Sequence, residues 1–319
     1  MTETKYIRSC SIWRSLEVLG DKPTLLLIES YWMGARRFSE FQAQTGLLKT
    51  VISDRLQKLI KAGCLVKVPY SDRPRRYEYK GTAKFLDLYQ TALSMLYWER
   101  KWNARSSGID LKLVHKTCGR LTEPKPVCPG GFEDIDPRQV DWREGPGVGM
   151  MPATYSRRRR QSAAAADTST PLFDEIAEII GDRWSALIIR SIFTGINRFQ
   201  DIQEDSGAAT NILSDRLGEL AARGILKKTR SSQKHGRRHY QFTEKGRDIY
   251  PIIIALRDWG DKYYPAPDGP PLLLNHRDCG QDLYVEIACP ECGEAIRVGD
   301  IEIDKSFGAS ARSVKPLAS

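Results

Sequence analysis

Histidine and cysteine recur together at one spacing, twice. His115-x2-Cys118-Gly119-x8-Cys128-Pro129 returns as His276-x2-Cys279-Gly280-x8-Cys289-Pro290, and only the second run continues to Cys292-Gly293. Imidazole nitrogen and thiolate sulfur are soft ligands, and four of them on two short knuckles suit a tetrahedral zinc ion with every position filled. The second run therefore offers His276, Cys279, Cys289 and Cys292 as a structural metal set with no open position for catalysis. Such ligands can replace the core that a module of roughly thirty residues is too small to build. The alternative is a β-hairpin module that keeps its shape without metal. The first run has Gly131 where the fourth ligand would fall, so it is expected to be metal-free or weakly binding. Seven cysteines cannot all pair, which favours a reducing compartment and roles as core residues, ligands or redox sensors.

Little else could do chemistry. There is no phosphate-cradling glycine loop, no dinucleotide fingerprint and no grouping of Ser, His and acid that helical periodicity would bring together, so the chain does not read as an enzyme. His235 and His239 lie in a basic run where contact with phosphate or solvent is expected rather than metal. Cys64 follows a helix-stopping glycine on an apolar strand and reads as core.

The elements that carry these residues are themselves duplicated. Gly20 to Gly63 and Gly181 to Gly224 align without a gap over 44 positions with 16 identities, among them Ser53-Asp54-Arg55-Leu56 and Ser214-Asp215-Arg216-Leu217. In the first copy Pro23 opens an apolar helix, Thr24 to Trp32, and Phe38 and Phe41 anchor a short second one. After the Thr45-Gly46 turn, Ile52, Leu56 and Leu59 form one apolar stripe on a helix from Lys49 to Ala62. Two β-like runs, 64–68 and 76–79, follow around a basic connection, and a long helix from about Thr82 to Trp102 closes the unit. The second copy repeats this with helices at 174–180, 184–193, 199–204 and 210–223, its stripe being Leu213, Leu217 and Leu220. Trp98, Trp102, Trp259 and Tyr263 on the closing helices suit packing between the halves.

Helices followed by a basic hairpin spell a winged helix-turn-helix, whose second helix enters the major groove while the wing follows the backbone. The fold class expected is mainly α with small β wings (α+β): tandem winged helix-turn-helix domains, each followed by a small Cys/His knuckle-like β module. The domains expected are 1–105 and 171–265 as winged helices, 106–144 as a degenerate Cys/His module, 145–170 as a flexible linker, 266–303 as a zinc-ribbon-like module and 304–319 as a disordered tail. Helix phase leaves Lys49, Thr50 and Ser53, with Thr210, Asn211 and Ser214, free to meet base edges. Arg73, Arg75 and Arg76, and Lys234, Arg237 and Arg238, sit on the hairpins as phosphate contacts. A net charge of +9 agrees with a polyanionic partner.

Each half resembles the HxlR-type winged helix-turn-helix regulators of bacteria. The residues carrying the resemblance are Cys10-Ser11-Ile12, Leu19-Gly20-Asp21-Lys22, Arg37-Phe38-Ser39, Ser53-Asp54-Arg55-Leu56 with Leu59, and Arg76-Tyr77-Glu78-Tyr79. In the second half they are Ile180-Gly181-Asp182-Arg183-Trp184, Arg198-Phe199, Leu213-Ser214-Asp215-Arg216-Leu217 with Leu220, and Tyr240-x-Phe242-Thr243-Glu244-Lys245-Gly246. The resemblance implies a transcriptional regulator, usually a homodimer on a partly palindromic operator. Some members sense electrophiles or oxidants through an N-terminal cysteine, which makes Cys10 the candidate redox sensor; the other reading is a partly buried residue beside the first helix. The match departs from the pattern at Pro23, where Trp is expected and Trp184 keeps it, at Pro171 opposite Cys10, and at Lys80-Gly81-Thr82-Ala83 in place of Thr-Glu-Lys-Gly. The first half is thus the more diverged, and its reader is expected to be the weaker.

Double-stranded DNA is the partner expected, with the two halves forming a pseudo-dimer within one chain, a homodimer of chains as a further state, and a small-molecule or redox effector of unstated identity. A mean hydropathy of -0.44, the absence of an apolar run near the ~20 residues of a membrane span, and an N-terminus without signal architecture predict a cytoplasmic protein away from membranes. Two alternatives stay open: an interaction adaptor whose winged helices and zinc knuckle bind protein, and an RNA-binding module.

Overall fold

The computed structural model describes residues 6–103, 111–130, 133–152, 172–230 and 238–304. Strand β1 (Tyr6–Arg8) precedes α1 (Ser11–Leu19), α2 (Lys22–Trp32), α3 (Phe38–Thr45) and α4 (Lys49–Lys61). The first wing is β2 (Leu65–Asp72) and β3 (Arg75–Gly81), followed by α5 (Ala83–Leu86) and α6 (Tyr89–Asn103). Short strands come next: β4 (Leu113–His115), β5 (Arg120–Leu121), β6 (Lys125–Cys128), β7 (Glu133–Asp134), β8 (Val140–Glu144) and β9 (Met150–Pro152). The second half runs α7 (Asp174–Ile180), α8 (Arg183–Phe193), α9 (Phe199–Ser206), α10 (Thr210–Ala222), β10 (Leu226–Arg230), β11 (Arg238–Phe242), α11 (Glu244–Arg247) and α12 (Tyr250–Tyr263). It ends in β12 (Leu272–His276), β13 (Glu286–Ala288) and β14 (Ile301–Ile303). The architecture is a helical body carrying small antiparallel sheets.

Local chemistry explains the helix starts. Asp21 accepts from the Thr24 amide at 3.0 Å and Pro23 occupies the first turn of α2, while Asp182 accepts from the Ser185 amide at 3.3 Å at the head of α8. The closing helix of each half is broken in two where a single one was expected. Thr82 and Thr243 cap the short α5 and α11, and Asp87 and Asp248 cap their C-termini before α6 and α12 begin. The first wing is also longer than expected. Its strands reach Asp72 and Arg75, with a register shift between Pro69 and Ser71 that lets an edge strand keep a proline.

The two halves share one core, and their contacts come in reciprocal pairs at the 161-residue offset that separates Gly20 from Gly181. The Trp98 indole donates to the Lys245 carbonyl at 3.0 Å, and the Trp259 indole to the Lys84 carbonyl at 2.8 Å. Trp102 donates to Asp248 at 2.8 Å, and Tyr263 to Asp87 at 2.6 Å. Lys101 pairs with Asp248 and Lys262 with Asp87. Such exchange is what a two-fold relation between copies produces.

The pairing is not perfectly symmetric. Glu99, nearly buried, accepts from the Glu175 and Ile176 amides at 3.3 and 3.0 Å and so closes the start of α7. Gly260 holds the equivalent position on α12, where a Cβ would come within 2.3 Å of the Ser11 carbonyl oxygen. Glycine lets α1 lie directly on α12. Trp184 meets Trp13 edge-on across the halves at 6.2 Å between ring centres, a contact for which Pro23 has no counterpart.

The trailing modules differ most from expectation, because they are not separate. β8 pairs with β12, with Val140 opposite His276, and β14 pairs with β4, with Ile301 opposite His115. β6 and β13 pair antiparallel with Pro126 opposite Ile287, which are equivalent positions of the two copies. Each copy thus completes the other's sheets. The region expected as linker also begins with structure: β9 pairs with β1, Met151 facing Ile7. Residues 153–171 and 305–319, which hold the rest of that linker and nearly all of the expected tail, lie outside the described residues. Among the described residues no helix is long and apolar enough to cross a membrane.

Candidate nucleic-acid interface and His/Cys clusters

On α4 the stripe Ile52, Leu56 and Leu59 is at most 1% exposed, and Leu213, Leu217 and Leu220 on α10 are equally buried. At about 1.5–3 kcal/mol for each buried leucine or isoleucine, these stripes fix which face of each helix looks outward. Lys49, Thr50 and Ser53 are exposed on α4, and Thr210, Asn211 and Ser214 on α10. Gln203 on α9 donates to Thr210 at 2.8 Å and braces it.

The shared Asp-Arg-Leu run has a structural explanation. Arg55 Nε donates to Asp21 at 2.7 Å and Lys58 lies 3.3 Å from the same carboxylate, and Arg216 pairs with Asp182 in the second half. Each of α4 and α10 is thus clamped to the head of the helix beneath it. Burial pushes the Asp21 carboxyl up, but Lys58 and Arg55 outweigh it and hold Asp21 below the ordinary carboxylate range. Its contribution is therefore complete at neutral pH and fades as pH falls through that lowered value. Asp21→Ala removes a helix cap and leaves Arg55 and Lys58 without their shared partner. We expect a loss of about 2–3 kcal/mol at pH 7, read by urea unfolding, with the difference from wild type shrinking at low pH.

Arg73, Arg75 and Arg76 are exposed on the first wing. Aromatic rings interleave with its cations, a feature hidden in the sequence because Tyr70 lay in the presumed turn. Arg37 sits over the Tyr70 ring at 4.5 Å and Lys67 over Tyr77 at 4.2 Å. Leu48, 69% exposed, was also missed; it stands one residue before α4 begins, at its N-cap. Lys234 and Arg237 lie outside the described residues, and for Arg238 only the backbone, on β11, is described. His239 Nδ1 lies 3.0 Å from the Asn197 side-chain oxygen, so one nitrogen of this imidazole has a protein partner.

Cys10 is 4% exposed and caps α1, its sulfur accepting from the Trp13 amide at 3.4 Å. It borders a cleft lined also by Arg8, Trp142, Glu144, Arg190 and Arg257. Of its two readings, this burial supports the packing one, since a sensor thiol needs access. Cys64 is fully buried, and burial pushes its thiol up to about 11, as an inert core cysteine requires.

The expected metal set is divided by the structure. Cys289 and Cys292 meet His115 and Cys118 of the first copy, while His276 and Cys279 meet Cys128. The strand exchange explains the correction: β4 and β14 pair, so the knuckle of one copy faces the Cys-x2-Cys of the other. Both clusters are thus formed between copies, and the first copy's His115 and Cys118 belong to the four-membered one rather than to a relic. In that cluster Cys118 Sγ lies 3.5 Å from His115 Nδ1 and 4.0 Å from Cys289 Sγ, and Cys292 Sγ lies 3.4 Å from His115 Nδ1. Donation from the Arg120 amide, ahead of that from His115, lowers the Cys118 thiol to about 6. Burial raises the Cys128 thiol in the other cluster.

A profile of the HxlR-like helix-turn-helix family matches residues 18–107 and 179–268, one copy in each half. An uncharacterized HTH-type transcriptional regulator of Mycobacterium tuberculosis (strain CDC 1551 / Oshkosh), MT3179, is 36% identical over 135 residues, covering 42% of this chain and 85% of that protein. The uncharacterized HTH-type transcriptional regulator YvaP of Bacillus subtilis (strain 168) is 30% identical over 94 residues, 29% of this chain and 87% of that protein. The crystal structure of PA1607 aligns with 41% of this chain and 94% of its own at 32% identity, with a TM-score of 0.37. With the family matched twice over more than half its length, this chain belongs to the HxlR-like helix-turn-helix family.

Proposed function

We propose that the protein is a sequence-specific regulator of transcription whose two halves act as a fused pseudo-dimer on an imperfect palindrome of double-stranded DNA. The family is one of DNA-binding transcriptional regulators rather than of enzymes. The observation that carries the finer reading is the reciprocal set of contacts, Trp98 with Lys245 and Trp259 with Lys84, which relates two unlike reader helices as a homodimer relates like ones. Thr50 and Ser53 read one half-site and Thr210, Asn211 and Ser214 the other. Leu48, exposed at the head of α4, is placed to meet a thymine methyl. Arg73, Arg75 and Arg76, with Lys234, Arg237 and Arg238 of the second basic run, neutralise phosphates. A structural zinc ion in the His/Cys region belongs to this reading.

The test is selection from a randomised duplex library followed by salt titration on the enriched sequence. Two unequal half-sites about one helical turn apart support the proposal. One half-site alone means that a single winged helix reads DNA, and no enrichment moves the function to protein or RNA binding. Arg73→Ala, Arg75→Ala and Arg76→Ala combined should lower the slope of log K against log salt by about 2.7, at ~0.9 for each phosphate no longer neutralised. The enriched sequence should not change, since phosphate contacts carry no base information.

A further inference from the structure

We infer that one zinc ion per chain is bound by His115 and Cys118 of the first copy together with Cys289 and Cys292 of the second, and that it fastens the two halves to each other. The inference rests on the structural zinc proposed above, whose ligands it names, and does not depend on DNA binding.

Bond lengths of ~2.3 Å to sulfur and ~2.0–2.1 Å to nitrogen, at tetrahedral angles, place sulfur about 3.8 Å from sulfur and about 3.6 Å from nitrogen. The cluster shows 4.0 Å between Cys118 and Cys289 sulfurs and 3.5 and 3.4 Å from His115 Nδ1 to Cys118 and Cys292. All four ligand atoms lie within 4.8 Å of one another. These are the edges of a tetrahedron of the size zinc makes.

The surroundings also fit a metal thiolate. His115 is fully buried, Nδ1 meets only sulfur, and Nε2 has no hydrogen-bond partner among the described residues. Such an imidazole is poorly compensated by protein alone. Thr122 donates to the Cys289 sulfur at 3.2 Å, the kind of outer contact that steadies a ligating thiolate. Gly119 and Gly293 turn each knuckle at φ +69° and +75°, and their amides donate to the His115 and Cys289 carbonyls at 2.7 and 2.8 Å. That left-handed turn folds each ligand pair back on itself, and glycine adopts it without strain.

The other cluster, Cys128, His276 and Cys279, has three of the four corners: Cys279 lies 3.5 Å from both the Cys128 sulfur and His276 Nδ1. Gly131 stands in sequence where Cys292 supplies the fourth ligand, so this cluster is expected to lose any metal on dialysis.

The experiment is metal analysis of the dialysed full-length chain by mass spectrometry, with the metal released by an organomercurial into a chromogenic chelator. One zinc per chain is expected in wild type and in His276→Ala, and none in Cys289→Ser/Cys292→Ser. To guard against that variant failing to fold, wild-type chain exchanged into cobalt(II) should show intense visible bands of a tetrahedral three-sulfur site, unchanged in His276→Ala. Zinc retained by Cys289→Ser/Cys292→Ser but lost from Cys128→Ser/Cys279→Ser would overturn the assignment. So would two zinc ions per chain, iron in place of zinc, or no retained metal. The fastening itself is read by limited proteolysis: chelation should expose β4, β8, β12 and β14 to cleavage together, and cleavage confined to one copy's strands would refute it.

Discussion

Trp98→Ala and Trp259→Ala combined should leave the chain close to unfolded at room temperature. Both indoles are almost fully buried in the shared core, and each donates to a backbone carbonyl of the other half. Truncating a buried tryptophan costs about 3–5 kcal/mol through lost transfer energy and the cavity left behind. Two such truncations amount to about 6–10 kcal/mol if additive, against a total stability of about 5–15 kcal/mol for an ordinary domain. Lys245 and Lys84 stand near the same indoles at 5.2 and 5.6 Å, so the change also removes a cation–π attraction at each end of the interface. Urea unfolding checks this. Equal destabilisation by either single variant supports a shared, symmetric interface, whereas independent unfolding of one half would show that the halves are separate folding units.

The second large effect is expected at Asp205, which has no symmetric counterpart, since Gln44 stands at the equivalent position. Its carboxylate, 8% exposed, pairs with the buried Arg190 and with Arg8 at 2.9 Å, and accepts from Ser191 at 2.5 Å. Asp205→Ala leaves two guanidinium groups together without their counter-charge, a situation that costs about 3–5 kcal/mol for a buried pair. Arg8 lies on β1, which pairs with β9, so the same change should free the N-terminal segment. Denaturant unfolding gives the energy, and proteolysis near Arg8 gives the location. Wild-type stability with an intact N-terminus would show that the cluster is decoration.

The helical frame was legible in the sequence because it is written in local terms. The stripes Ile52–Leu56–Leu59 and Leu213–Leu217–Leu220 report their own burial, and Pro23 marks the opening of α2, whereas the caps at Asp21 and Asp182 emerge only from the structure. The family signature also rests on such local runs. Partnership was not legible. His276 and Cys279 recur at the same spacing as His115 and Cys118, so spacing alone cannot say which pair meets Cys289 and Cys292, and the pair nearer in sequence is not the one they meet. The exchange of β8 and β14 decided it. The first wing was read short because Pro69 and Pro74 look like turn residues, although an edge strand tolerates proline where no amide is needed. Arg55 and Arg216 stood inside the most repeated motif, yet only the distance to Asp21 and the pairing with Asp182 show that repetition there preserves a clamp.

Glycine at position 131 beside cysteine at position 292 has a meaning for inheritance. In an assembly of identical chains every substitution strikes both mirror positions at once, and a ligand removed from one cluster is removed from the other. Joining the copies in a single chain releases them from that constraint. One cluster can surrender a ligand while its twin keeps all four, and Gly260 can stand where Glu99 stands opposite. A change that would strike both sides of a symmetric assembly here alters one side alone.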